Sequence, residues 1–372
     1  MKPLAAPSGR PRFESLDGLR GVAAVSVMLG HALWSHPAIA EAVLISGDRG
    51  PAWVRWLTYT PCHLAWLTRE AVVVFFVLSG FVLARPYLAG GATSYKRYYA
   101  SRFIRLLLPC WAAIGLACLM QRFVYPVPPV PVGSWWLKAH GMPTPLADSL
   151  AYVGLLNGVP AVLPPLWSLR WELLFSAVLP AYVAVAQRCR APLAAGVMAA
   201  ACIPATMAGK VVDSDVVEFM PIFMLGVLLN NVVPAEVAGS RPTRAGLFAV
   251  ASLLLLCAEW YARGLTDDVA ILGVARMLSL VGAVGVVYFA IACPAMRGML
   301  SRPGVLWIGQ RSFSLYLVHF PCVVAAALLS GGQSLALTLA VGVPASLVAA
   351  DVFYRLVELP SLRLAEFAKR LA

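Results

Sequence analysis

Residues 14–34 read ESLDGLRGVAAVSVMLGHALW, and this run decides the architecture. It is as long as the roughly 20 residues a helix needs to cross a bilayer. Its interior is apolar, yet it carries Asp17, Arg20 and His31. Arg20 and His31 are eleven positions apart. At about 100° and 1.5 Å per residue they return to one helix face within ~20°, separated by ~16 Å. One stripe therefore holds a permanent cation near one end and an imidazole near the other. Asp17 lies one turn before Arg20 and within pairing reach.

Nine more runs of bilayer length follow, near 70–89, 103–123, 166–187, 192–209, 216–232, 245–262, 269–291, 308–330 and 335–357. The stretch 146–163 is apolar but broken by Gly and Pro, and reads as a re-entrant or surface segment. The rest of the composition agrees. The 372 residues are 60% hydrophobic and only 12% charged, about half the charge of an ordinary soluble domain. The apolar runs are continuous rather than alternating, which excludes a β-barrel. The fold class is an all-α polytopic membrane protein of about ten transmembrane helices, with one membrane domain over residues 1–372.

Net charge is +12. In a soluble chain that would suggest nucleic acid; here the loops explain it. With the N-terminus inside, Lys2, Arg10, Arg12, Lys96, Arg97, Arg102, Arg188, Arg190, Arg241, Arg244, Arg297, Arg302, Arg363, Lys369 and Arg370 fall on the inner side, against Arg49, Arg55, Arg69, Lys138, Lys210 and Arg263 on the outer. That is the cytoplasmic enrichment of Lys and Arg, and it places both termini in the cytoplasm. Ala38-Ile39-Ala40 resembles a signal cleavage site, but Asp17 and Arg20 would interrupt the preceding segment. The eight cysteines form no CxxC or zinc spacing, so no metal site is expected.

Ionisable groups inside spans are costly and read first as functional. The other reading of Arg20 and His31 is a snorkelling cation and an interfacial imidazole. Arg102 and Arg105 share a helix face and form two guanidinium forks suited to phosphate; a lipid headgroup would suit them as well. Leu166-Trp167-Ser168-Leu169-Arg170-Trp171-Glu172 places Glu172 on the same side as His31, where a carboxylate can orient an imidazole. An ion pair of Glu172 with Arg170 or Arg276 is the structural alternative. Ser79-Gly80 in the second span allows close helix contact. His319 lies near mid-membrane, Asp351 and Glu358 stand near the inner end of the last span, and His36, His63 and His140 fall in outer loops.

In order, these segments resemble the membrane acyltransferase-3 family. The pieces are Leu16-Asp17-Gly18-Leu19-Arg20-Gly21 with its spacing to His31, then Phe75-Phe76-Val77-Leu78-Ser79-Gly80-Phe81 and Arg102-Phe103-Ile104-Arg105. Leu166–Glu172 and Ser312-Phe313-Ser314-Leu315-Tyr316-Leu317-Val318-His319 complete the set. The resemblance implies an acyl-CoA-dependent O-acetyltransferase of the bacterial inner membrane, with acetyl-CoA as donor and no metal. The acceptor is expected to be a hydroxyl of a surface or exported glycan. His31, Glu172 and Arg20 become candidate catalytic residues. Arg102, Arg105, Arg20 and Ser79 become donor contacts, and Trp167, Ser168, Tyr316 and His319 acceptor contacts. No SGNH-like domain of the kind often fused to polysaccharide-modifying members is expected in these 372 residues, and Leu173 stands where fused members have a second Glu. A transporter or flippase is the competing class; buried charge suits it, but no paired inverted halves are visible.

Overall fold

The computed structural model describes residues 13–45, 49–89, 94–125, 134–142, 144, 162–233 and 242–371. Among these residues there is helix and no strand. The long helices are α1 (Glu14–Trp34), α4 (Arg69–Leu88), α5 (Tyr95–Phe123), α7 (Leu166–Arg188), α8 (Pro192–Val211), α9 (Asp215–Val232), α12 (Val269–Ala292) and α16 (Leu335–Leu371). These eight are long and apolar enough to cross a membrane, nine spans if a bent pair counts as one. Short helices α2 (Pro37–Leu44), α3 (Ala52–Thr58) and α6 (Trp135–His140) gather at the His31 end.

All ten apolar runs are helical, but three depart from a simple span. The seventh breaks at Cys257 into α10 (Pro242–Leu256) and α11 (Ala258–Arg263). The last continues beyond the apolar run to Leu371 and contains wide π turns at Thr338–Gly342 and Tyr354–Glu358. The ninth bends by 73° between α14 (Pro303–Gln310) and α15 (Ser312–Leu328). Arg311 sits at that bend and holds it. Its Nε donates to Asp351 Oδ1 of α16 at 2.6 Å and its Nη1 to the Trp307 carbonyl at 3.1 Å. The guanidinium lies 4.1 Å from the Trp307 ring centroid. Most of the Leu146–Leu163 stretch lies outside the described residues.

The bundle closes around α1, which packs on α4, α14 and α15. In a bilayer, burying apolar surface gives helices little reason to associate, so close van der Waals approach matters more. Small residues provide it. A Cβ on Gly80 would land on the Phe223 carbonyl, and one on Gly226 on the Val77 carbonyl, so α4 and α9 press backbone to backbone. Gly21 and Gly309 do the same for α1 and α14, the short helix α13 (Pro294–Leu300) meeting α1 nearby. These contacts fix α1, α4, α7 and α15 around two cavities.

Candidate active site

His31 lies near the end of α1, where a chamber of about 380 Å³ opens. Trp34, Trp136, Trp167 and Phe320 supply aromatic walls, and Arg69, His140 and Tyr316 also border it. Its size falls in the range of small-molecule sites. The helices α2 and α6 contribute to its rim through Leu44, Trp135, Trp136 and His140. Their lengths, under three turns, give sequence periodicity little to register.

The partner the structure gives His31 is His319. His31 Nδ1 lies 2.9 Å from His319 Nε2, and His319 Nδ1 lies 2.9 Å from the Leu315 carbonyl one turn back on α15. His319 is fully buried. Trp34 and Phe320 meet the His31 ring edge-on, at centroid distances of 5.1 and 5.4 Å. The family resemblance places His319 among acceptor contacts, and the sequence puts Glu172 on the side of His31. The structure brings the two histidines together across 288 residues and turns Glu172 elsewhere.

Glu172 pairs with Arg102. Ser79 Oγ donates to Glu172 Oε1 at 3.3 Å, and Arg102 Nε donates to Ser176 Oγ at 3.1 Å. Ser176 in turn donates to the Glu172 carbonyl at 2.7 Å. Both charged side chains are mostly buried, 13% exposed for Arg102 and 20% for Glu172. Arg105, one turn on, is exposed and makes no hydrogen bond or ion pair with a described residue. The shared face read from the sequence therefore splits into one committed fork and one open fork. Glu172 pairs with neither Arg170 nor Arg276: Arg170 lies 4.8 Å from the Trp171 ring, and Arg276 binds Glu259.

A second, narrow cavity of about 40 Å³ is bordered by Arg20, Ser79, Ser168, Glu172, Ser312 and Tyr316. Among the described residues Arg20 forms no close ion pair, but it and Arg105 are near enough to Glu358 to act on its charge. Glu358 itself accepts from Ser314 Oγ at 2.5 Å. Asp351, the other acid of that helix, pairs with Arg311 and Arg355. Arg85 lies over Phe13 and Phe81 and reaches Asn230. Tyr316 borders both cavities. Its Oη donates to the Pro165 carbonyl at 2.9 Å and lies 2.7 Å from Ser168 Oγ. Trp167 and Ser168, adjacent on α7, thus face different cavities.

A third polar region was not singled out by motif. Glu259 accepts from Arg276 Nε at 2.9 Å through Oε2, and its Oε1 lies 2.9 Å from Arg263 Nη2. Arg69 pairs with Glu218, and Trp260 Nε1 donates to Glu70 Oε1 at 2.8 Å. His63, a loop residue in the sequence, is fully buried against Trp66 and Trp260, with Nε2 3.8 Å from Glu70. The rule that charge inside an apolar run signals a built contact would have found Glu218, Glu259 and Arg276 too.

This constellation belongs to a polytopic membrane acyltransferase. Residues 13–355 match the acyltransferase-domain family, and the chain is a member of it. It is similar to the acyltransferase MdmB of Streptomyces mycarofaciens, 26% identical over 95% of this chain and 92% of that protein. It is also similar to the peptidoglycan O-acetyltransferase OatA of Listeria monocytogenes. There identity is 23%, over 94% of this chain and 56% of the relative's length. No solved structure matches the chain.

Proposed function

We propose that the protein moves an acetyl group from cytoplasmic acetyl-CoA to a hydroxyl of an acceptor on the outer side, a sugar of a surface or exported glycan. One observation carries this reading: an imidazole, His31, stands on the wall of a chamber large enough for a substrate. The aromatic walls support a sugar, because Trp34, Trp136 and Trp167 offer flat apolar faces with polar edges.

In this reading Arg105 and Arg20 meet the donor's phosphates, as open guanidinium forks suit them. Arg102 and Ser79 act on the donor cavity through Glu172, whose position they hold. The pantetheine arm enters by the Arg20 cavity and carries the thioester past Tyr316 and Ser168 towards His31. The acceptor hydroxyl oxygen forms a bond to the acetyl carbon while the carbon–sulfur bond breaks. The hydroxyl proton passes to His31 and then to the departing CoA sulfur, which takes the bonding electron pair. General-base help of this kind contributes about 10²–10⁴-fold.

The test is calorimetric titration of the detergent-purified protein with acetyl-CoA, wild type beside Arg105→Ala, together with thiol release in the presence of glycoside acceptors. Saturable binding, weakened in the variant, and thiol release support the reading. Folded protein that binds no acetyl-CoA overturns it and favours transport.

A further inference from the structure

We infer that His319 is the positioning residue of His31: it dictates which nitrogen of the base carries the proton. The inference rests on the reading of His31 as the base. The tautomers follow by counting hydrogens. The Leu315 carbonyl can only accept, so the hydrogen of its 2.9 Å contact resides on His319 Nδ1. A neutral imidazole has one N–H, so His319 Nε2 offers a lone pair. The 2.9 Å contact to His31 Nδ1 then takes its hydrogen from His31. By the same count His31 Nε2 is bare, and it is the nitrogen left to receive a hydroxyl proton.

The ring geometry agrees. The planes differ by 20° with centroids 5.1 Å apart. A nitrogen–nitrogen contact of 2.9 Å is too short for face-to-face rings, whose atoms stand about 3.5 Å apart or more. The imidazoles therefore meet edge to edge, with the hydrogen bond near their common plane. His319 is held at both ends: the Leu315 carbonyl takes its Nδ1–H, and the Ser346 side chain donates from Oγ to its backbone carbonyl at 3.4 Å. The other titratable groups bordering the chamber are His140 from α6, Arg69 from α4 and Tyr316 from α15; no carboxylate borders it among the described residues.

The arrangement does for His31 what a carboxylate does for histidine in a hydrolase triad, with one difference. His319 orients the ring while neutral, so the histidine pair itself adds no charge to the membrane interior, where one is costly. When His31 takes the proton at Nε2, its Nδ1–H remains on the His319 lone pair. His319 need not change its own protonation for the step to balance.

The experiment compares His319→Leu and His319→Gln with wild type and His31→Ala, using acetyl-CoA and a methyl glucoside as probe acceptor. Leu removes the acceptor for His31 Nδ1–H; Gln keeps an oxygen for it. The expected result is a kcat at least about 10²-fold lower in His319→Leu. The calorimetric Kd for acetyl-CoA stays near wild type, and most of the rate returns in His319→Gln. A His319→Leu protein within threefold of wild-type kcat overturns the inference while leaving the acyltransfer reading intact. Wild type without acetyl-CoA binding overturns that reading instead. A second measurement needs no variant and no acceptor: nitrogen-15 shifts of histidine-labelled wild type. His31 protonated at Nδ1 is expected; His31 protonated at Nε2 in the neutral state overturns the inference.

Discussion

At the His31 end of the bundle, two polar regions meet at Arg69, which borders the chamber and also the cavity beside it. In the first, Glu259 serves Arg263 and Arg276, Glu218 serves Arg69, and Glu70 takes the Trp260 N–H. Its full charges answer one another. In the second, a chain of uncharged groups runs from the Leu315 carbonyl through His319 to His31 and stops at the chamber. The contrast shows that buried charge does not by itself identify the reacting group. A saturated network holds helices together, whereas a hydrogen-bond chain ending on open space has a group left to use.

His31→Ala should lose about 10²–10⁴-fold or more of acyl transfer and keep its fold. Thiol release and size-exclusion behaviour check this, and near-normal transfer would erase the distinction between the regions. Arg276→Ala should do the reverse. It leaves Glu259 with a weaker set of partners and should cost about 3–5 kcal/mol of stability, as removal of one member of a buried pair does. Thermal unfolding in detergent reads it. Arg102→Ala belongs with Arg276 by the same logic, and combining it with Glu172→Gln should recover much of the loss. Arg105→Ala should leave the melting temperature unchanged and raise the KM for acetyl-CoA; equal melting losses in the two arginine variants would refute the division between them. Asp267→Asn breaks only an exposed pair with Arg49, 3.0 Å long, and should change stability by less than about 1 kcal/mol.

How much of this was visible in the sequence depends on distance along the chain. Apolar runs of bilayer length are local, and all ten are helices. The Arg20–His31 stripe is local too, since helix periodicity alone places both on one face. The bend at Arg311 is not, because its cause is Asp351, forty residues later and on another helix. The split between Arg102 and Arg105 depends on how α5 crosses α7, which no spacing encodes. His319 reads as a solitary mid-membrane histidine until α1 and α15 are laid together. Conversely, Glu172 looked available to His31 because both stand at one side of the membrane, but its nearer neighbour across the helices is Arg102.

The shared wall at Tyr316 bears on a different property, electrical insulation. On the function proposed above an acyl group crosses the membrane, and a protein doing so must not also pass protons or ions. Two neighbouring cavities would be a leak if they merged into one continuous path. Here the tyrosine ring stands between them, and its hydroxyl is clasped by Pro165 and Ser168. The clasp crosses from α15 to the start of α7, so the ring turns aside only if those bonds part. On that function Tyr316 would be the dielectric of the molecule, and the membrane potential, rather than the rate of acyl transfer, is the quantity that would register its loss.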